Sequence, residues 1–140
     1  MPPVVGLLHP GEMGASLGAI LRSRGVDVTW AAEGRSAETR ARAEAAGLRE
    51  VANRSGLVRG ADLILSVCPP GEARRVAEQV FACGFVGTYV DANAVSPAVA
   101  RAIAKLAERS GATCVDGGLI GPPARQPGTT SLVLSGPTLA

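Results

Sequence analysis

The sequence VVGLLHPGEMG, from Val4 to Gly14, joins an apolar run to a tight turn that contains glycine. Apolar residues at helical spacing follow the turn, which indicates a strand, a turn and then a helix. This arrangement directs backbone N–H groups and the positive end of the helix dipole at whatever lies above the turn. The stretch therefore predicts a site for a phosphate or a pyrophosphate.

The same stretch nearly fits the dinucleotide-binding fingerprint G-x-G-x-x-G, with Gly11 and Gly14 as its second and third glycines. Gly11 would allow close approach of a phosphate, and Gly14 would let the helix pack tightly on its strand. His9 stands where the first glycine is expected, so its backbone must avoid positive φ or tolerate strain. Its imidazole would either face the cofactor or point into solvent.

Apolar strand patterns alternate with helical patterns along the chain, which is typical of a parallel sheet covered on both faces. We predict an α/β fold of the doubly wound Rossmann type, with a mainly parallel sheet. Ser36 and Ser96 are predicted to cap helices that end at Gly47 and Gly111. The predicted strands are Val4–Leu8, Asp27–Trp30, Leu63–Val67, Tyr89–Asp91, Thr113–Asp116 and Ser131–Leu134. The predicted helices are Gly11–Arg24, Ser36–Ala46, Gly71–Phe81 and Pro97–Ser110, while Leu48–Arg59 allows a strand at Glu50–Val51 and a helical turn.

The composition, 46% hydrophobic and 19% charged in 140 residues, is typical of one globular domain. The chain has fourteen Lys and Arg and twelve Asp and Glu, and the basic residues form no run, so we expect no nucleic-acid partner. No apolar stretch approaches the ~20 residues of a membrane span. Cys68, Cys83 and Cys114 lie apart and the chain has one histidine, so we expect a cytoplasmic protein without a metal site.

The segment WAAEGRS, from Trp30 to Ser36, follows the second predicted strand. NAD-specific domains usually end this strand with an acid that binds the ribose hydroxyls, whereas here an arginine and a hydroxyl follow shortly after it. Arg35 and Ser36 suit the 2′-phosphate of NADP, through charge-assisted hydrogen bonds. The alternative is a solvated arginine beside a helix cap, and the nearby Glu33 keeps NAD open as the less favoured cofactor.

Three further segments follow predicted strands and so lie at the edge where ligands bind. Cys68 and Pro69 could line the adenosine side of the cofactor, and we interpret Cys68 as a packed thiol rather than a nucleophile. The Asn93 amide could bind the nicotinamide ribose or a substrate carboxylate, or could simply form an Asx-turn. The stretch Asp116–Pro123, rich in glycine and proline, predicts a shaped loop where substrate would approach.

Together these motifs resemble the β-hydroxyacid dehydrogenase superfamily, which includes 6-phosphogluconate dehydrogenase and 3-hydroxyisobutyrate dehydrogenase. Four ordered motifs, spread over essentially the whole chain, carry the resemblance. The family's opening G-x-x-G-x-G-x-M-G is matched by Gly6, Gly11, Met13 and Gly14, and its strand-end proline by Val67-Cys68-Pro69. Its D-x-S-T-x-S-P segment is matched by Asp91, Val95, Ser96 and Pro97, with Asn93 and Ala94 in place of Ser and Thr. Its substrate loop D-A-P-V-S-G-G is echoed by Asp116–Pro122, and Gly128–Gly136 is similar to its last Rossmann strands.

The resemblance implies one NAD(P)-binding Rossmann domain over residues 1–140. Ile120 stands where better-known members carry a serine that holds a substrate carboxylate, which leaves the substrate class open. The cofactor-binding residues are predicted to be His9, Pro10, Gly11, Glu12, Met13, Arg35, Ser36, Cys68, Pro69 and Asn93. The predicted substrate contacts are Asn93, Gly118, Ile120 and Gly121.

The function predicted on this basis is an NADP-dependent oxidoreductase or its cofactor-binding half. Members of the family continue into a helical second domain that carries the catalytic lysine, and Lys105 is expected on an outer helix face where it cannot replace that lysine. We therefore assign no catalytic residue and expect little turnover from these 140 residues alone. The alternative is a non-catalytic dinucleotide-binding module, or a truncated paralogue, that forms a homodimer through an exposed docking surface.

Overall fold

The computed structural model of the chain describes the backbone of residues 3–120 and 131–135 and the side chains of residues 3–118. Strands and helices alternate from residue 4 to residue 120. The strands are β1 Val4–Leu8, β2 Asp27–Ala31, β3 Arg49–Val51, β4 Leu63–Ser66, β5 Thr88–Asp91, β6 Thr113–Ile120 and β7 Ser131–Ser135. The helices are α1 Glu12–Ser23, α2 Ala37–Ala45, α3 Arg54–Gly60, α4 Ala73–Ala82 and α5 Pro97–Ser110, and a 3-10 turn at Pro70–Glu72 precedes α4.

The strands form one sheet in the order β3-β2-β1-β4-β5-β6-β7. The first six strands are parallel to one another, and β7 pairs with β6 in the antiparallel sense. The chain order reverses beside β1, which lies between β2 and β4, so this sheet has the switch point at which doubly wound folds bind ligands. The predicted fold class is confirmed.

Alternating side chains of the central strands enter two hydrophobic clusters, one on each face of the sheet. In β4, for example, Ile64 packs with residues of α3, α4 and α5, whereas Leu65 packs on the opposite side. In β5, Tyr89 and Val90 divide in the same way. Helices therefore cover both faces, as the near-continuous apolar character of the strands predicts.

The predicted caps are present. The Ser36 hydroxyl accepts a hydrogen bond from the Thr39 backbone N–H at 3.2 Å, and the Ser96 hydroxyl accepts one from the Val99 N–H at 3.3 Å. Gly47 and Gly111 follow the ends of α2 and α5 with φ values of +76° and +79°, the left-handed conformation that glycine favours. Lys105 is exposed on α5, in agreement with the expectation.

One prediction about the chain path was wrong. The stretch that begins at Asp116 does not leave the sheet as a loop, because β6 continues to Ile120. Gly117 and Gly118 pair with Leu134 and Val133 of β7, so hydrogen bonding to an added edge strand overrides the local tendency of glycine to form turns. The remaining positions of the predicted loop, 121–123, lie outside the described residues.

The carboxyl end of β5 carries a buried acid. Asp91 is 2% exposed, and its Oδ1 accepts hydrogen bonds from the Asn93 backbone N–H at 3.2 Å and from Asn93 Nδ2 at 2.6 Å. Its Oδ2 has no hydrogen-bond partner among the described residues, and Asp116 lies in register with it on β6. Burial raises the pKa of Asp91 above its ordinary value, the bonds from Asn93 oppose this, and the Asp116 charge adds to it.

We predict that Asp91→Asn stabilises the protein progressively, relative to wild type, as the pH rises. A carboxyl whose pKa is raised in the folded state contributes most below its unfolded-state pKa, and that contribution is lost as the pH rises through the folded-state pKa. Asparagine cannot ionise, so the variant keeps the acceptor without this loss. The melting temperature measured from pH 4 to pH 8 should show the difference, with roughly 2–8 °C for each ~1 kcal/mol.

The control for Asp91 is Glu108→Gln, which removes an exposed carboxylate on α5 and should leave the pH dependence of the melting temperature unchanged. The amide nitrogen that Asp91→Asn introduces would occupy the position that has no partner, but that cost does not vary with pH. A constant difference in melting temperature between wild type and Asp91→Asn at every pH would contradict the prediction.

Candidate functional site

A cleft of about 290 Å³ lies at the carboxyl ends of β1 and β2 and the start of α3. This is the edge of the sheet where the parallel strands end, beside the point at which the strand order reverses. The turns that follow the strands therefore line the cleft. The turn after β1 supplies His9, and the turn after β2 supplies Glu33 and Arg35. Arg54, the first residue of α3, also lines the cleft.

The turn between β1 and α1 is held by two hydrogen bonds to consecutive carbonyl groups. The Gly11 N–H donates to the His9 carbonyl at 2.7 Å, and Arg42 Nη1 of α2 donates to the Pro10 carbonyl at 3.2 Å. Helix α1 then begins at Glu12, with Gly11 as an N-cap that offers no side-chain hydrogen bond. A helix start without a side-chain cap can instead bind an anionic group through its first-turn amides.

The two fingerprint glycines have different roles. A Cβ on Gly14 would lie 3.2 Å from the His9 carbonyl oxygen, so Gly14 allows α1 to approach the turn closely, as predicted. A Cβ on Gly11 would meet nothing nearer than that same oxygen at 4.0 Å, and the φ of Gly11 is −71°. The protein itself therefore does not require a glycine at position 11, and the space above it is available to a ligand.

His9 tolerates strain rather than avoiding it. Its φ is +60°, and it is the one non-glycine residue with positive φ among those described. Arg35 Nη1 lies 3.0 Å from His9 Nδ1. Because a guanidinium group can only donate, Nδ1 must be the unprotonated nitrogen, and the imidazole is neutral with its proton on Nε2.

The environment of His9 is strongly cationic. Burial lowers the pKa of His9 below its ordinary value, and the charges of Arg35, Arg54 and Arg75 lower it further, with a smaller opposing contribution from Glu72. The imidazole therefore faces arginine side chains at the cleft rather than solvent alone. Positive charge gathered in a concave site favours an anionic ligand.

Arg54 and Arg42 were not predicted from the sequence. Asn53 caps α3 by accepting a hydrogen bond from the Gly56 N–H at 2.9 Å, and this cap places Arg54 at the helix start beside the cleft. An arginine directly after an N-cap, at the carboxyl end of a short strand, is a signal that could have identified Arg54. Nothing local marks Arg42, since its contact with Pro10 depends on how α2 packs.

A second group of predicted residues joins the ends of β4 and β5. Asn93 is 4% exposed, and its Oδ1 accepts a hydrogen bond from the Cys68 N–H at 2.7 Å. Its Nδ2 donates to the Ser66 hydroxyl at 3.1 Å as well as to Asp91. These bonds all lie within the protein, so Asn93 shapes the turn that carries Cys68, while a direct contact with a ligand stays a prediction.

The thiol of Cys68 is half-buried, as expected for a packed side chain. Burial raises its pKa above the ordinary value, and its contact with Ser66 opposes this. A raised pKa keeps the thiol protonated and makes it a poor nucleophile.

The other predicted site residues occupy varied environments. Pro10 is buried, Met13 is half-buried, and Glu12 and Pro69 are exposed. Gly118 lies on β6 and Ile120 is its last residue, whereas Gly121 lies outside the described residues. Across the part of the chain with described side chains, no three acidic, histidine or cysteine groups converge as metal ligands. None of the helices described is both long and apolar enough to cross a membrane.

Solved structures similar to this chain include a protein of unknown function, a dehydrogenase and a reductive aminase. A conserved protein of unknown function, described as structurally similar to 3-hydroxyacid dehydrogenases, is 31% identical over 94% of this chain, with a TM-score of 0.81. The 3-hydroxyisobutyrate dehydrogenase of Mycobacterium tuberculosis is 23% identical over 98% of the chain, with a TM-score of 0.83. A reductive aminase from Aspergillus terreus is 20% identical over 88% of the chain, with a TM-score of 0.72.

This chain covers 49%, 47% and 43% of those three proteins, so it spans about half of their length. No curated protein matches it in sequence. The model of one protein family, the NAD-binding domain of 6-phosphogluconate dehydrogenase, matches residues 4–139. A cleft at the switch point and a helix start without a side-chain cap are expected of a dinucleotide-binding domain. Both agree with this family match over nearly the whole chain. The chain belongs to the family of NAD-binding domains of 6-phosphogluconate dehydrogenase.

Proposed function

We propose that this domain binds NADP in preference to NAD and serves an oxidoreductase that transfers hydride. The observation that carries the preference is the position of Arg35, on the rim of the cleft at the end of β2 and hydrogen-bonded to His9. This is the strand end at which the adenosine ribose binds in dinucleotide-binding domains. A guanidinium group there suits the 2′-phosphate that distinguishes NADP.

The charges around the cleft support the same preference. Strand β2 ends at Ala31 and the next residue, Ala32, is buried, so no carboxylate stands at the strand end itself. Glu33 lines the cleft and could bind ribose hydroxyls, but Arg35 and Arg54 line it too. Two arginines against one glutamate leave a net positive cleft, which favours a dianionic phosphate over two neutral hydroxyls.

The helix starts contribute further donors. Ser36 caps α2 and lies next to Arg35, so a phosphate bound by Arg35 would also meet the positive end of that helix. The start of α1 would receive the pyrophosphate, with Gly11 giving it room. Among solved relatives, one reductive aminase is a complex with NADPH and one imine reductase variant is a complex with NAD+, so the choice of cofactor is argued from this chain's own residues.

When bound, the cofactor supplies a nicotinamide ring that donates or accepts hydride. In this proposal the turn at Cys68 and Pro69 borders the adenosine ribose, and Asn93 fixes that turn from the nicotinamide side. We assign no general acid or general base among the described residues. We propose that a substrate meets Gly118, Ile120 and Gly121 beside the nicotinamide, and we expect little turnover from these 140 residues alone.

A cytoplasmic location is part of the proposal, since all three cysteines are free thiols and suit a reducing compartment.

The alternative of a non-catalytic module that dimerises requires an exposed apolar docking surface. Among the described side chains the large exposed hydrophobics are Ile20, at 39%, and Val86, at 68%. Two such residues give no support to dimerisation through the described surface, and cofactor binding is common to both alternatives.

Replacement of Arg35 by alanine tests the preference for NADP. The Arg35→Ala variant should bind NADPH roughly 10- to 100-fold more weakly, because it loses a charge-assisted contact worth about 1.5–3 kcal/mol. Its affinity for NADH should change little. Titration calorimetry with both cofactors measures this, and Arg109→Ala, which removes an exposed arginine of α5, is the matched control. Equal losses for NADPH and NADH, or none, would refute the assignment of Arg35.

Replacement of Gly11 by alanine tests the pyrophosphate site. A Cβ at this position has room in the protein, so the free energy of unfolding of Gly11→Ala should lie within about 1 kcal/mol of wild type. The added methyl group would occupy the space of the pyrophosphate, so NADPH and NADH should both bind about tenfold more weakly or worse. Gly60→Ala, at another glycine with open space, is the control. Unchanged affinity for both cofactors would exclude the pyrophosphate from this turn.

A further inference from the structure

His9 has a conformation that its own side chain disfavours. At φ +60° a side chain crowds the backbone, and glycine would relieve that crowding at the same position. No described hydrogen bond of the turn requires the imidazole, because the bond to Gly11 uses the His9 carbonyl. The described hydrogen bond of the imidazole is the one with Arg35. The side chain is therefore best explained by what it does to Arg35.

A neutral imidazole holds a guanidinium group in a particular way. Nδ1 accepts one hydrogen bond from Arg35 Nη1 and orients the group, but it adds no negative charge. A carboxylate in this place would orient the arginine too, while cancelling the charge that a phosphate needs. Burial is the main reason that the pKa of His9 is lowered, and the charges of Arg35, Arg54 and Arg75 outweigh that of Glu72 in the same direction, which favours the neutral imidazole.

We propose that His9 is a positioning residue that sets the preference for a 2′-phosphorylated cofactor by holding Arg35 at the rim of the cleft. The proposal rests on the proposed function, since it assumes that Arg35 meets the 2′-phosphate. It assigns to the first fingerprint position, where glycine is expected, a role in the choice between two cofactors. The remaining guanidinium donors of Arg35 stay available to the phosphate.

A double-mutant cycle of His9→Gly and Arg35→Ala tests the coupling in the purified protein. Glycine fits φ +60°, so His9→Gly should fold at least as well as wild type and separates binding from stability. We expect His9→Gly to weaken NADPH binding roughly tenfold with NADH within about twofold, and to have no further effect in the Arg35→Ala background.

His9→Asn provides a rescue. Asparagine tolerates this backbone region, and its Oδ1 is as many bonds from the backbone as Nδ1 of histidine. It can therefore accept the same hydrogen bond from Arg35, and it should retain most of the preference for NADPH. Failure of the rescue together with additive losses in the cycle would show that His9 acts independently of Arg35.

A readout without cofactor comes from NMR, because His9 is the only histidine of the chain and its imidazole signals are unambiguous. We expect a neutral ring with the proton on Nε2, and we expect Arg35→Ala to change the tautomer equilibrium and to raise the pKa of His9. If Arg35→Ala leaves these signals unchanged, or if His9→Gly leaves the NADPH preference intact while Arg35→Ala abolishes it, the inference about His9 is wrong and the proposed function stands. If wild type shows no preference for NADPH, both proposals fall.

Discussion

The hydrogen bond from the Gly11 N–H to the His9 carbonyl fixes the turn on which the whole site depends. The same carbonyl oxygen faces Gly14, where any side chain would push α1 away from β1. The bond and the missing side chain together let the helix start directly above the strand end. Arg42 binds the next carbonyl, at Pro10, and so fixes α2 to the same turn.

This geometry brings charge to the cleft from three separate parts of the chain. The net charge of the protein is only +2, yet the surroundings of His9 include Arg35, Arg54 and Arg75. The positive potential is therefore a local product of the fold rather than of the overall composition. Short-range steering of an anionic ligand depends on such local concentration far more than on net charge.

The sequence predicted the elements whose signals are local. Apolar strand patterns, the serine caps at Ser36 and Ser96, and the turn glycines at 47 and 111 all depend on neighbours within a few residues. The continuation of β6 to Ile120 could not be predicted in this way, because it depends on pairing with β7, which is distant in the sequence.

The same distinction between local and distant contacts decides which site residues could be predicted. Gly11 and Gly14 follow from the fingerprint, and Arg35 follows from its position after a strand end. The fingerprint also shows that His9 replaces its first glycine, but it does not predict where the imidazole points. The contact between His9 and Arg35 joins residues 26 positions apart, and the Arg42–Pro10 contact spans 32. Such contacts require the relative placement of whole elements, which local patterns do not contain.

The bonds of Asn93 have a consequence for the entropy of ligand binding. The Asx-turn here is that of Asp91, whose Oδ1 accepts the Asn93 N–H, and it does not account for the bonds of the Asn93 side chain to Ser66 and Cys68. The turn after β4 is tied to the end of β5 through the bond from the Cys68 N–H to Asn93 before any ligand arrives. A loop that is already ordered loses little conformational freedom when it contacts a ligand, so less of the interaction energy is offset by ordering. In the proposed function, where the cofactor borders this turn, its rigidity would favour affinity without adding a contact to the ligand.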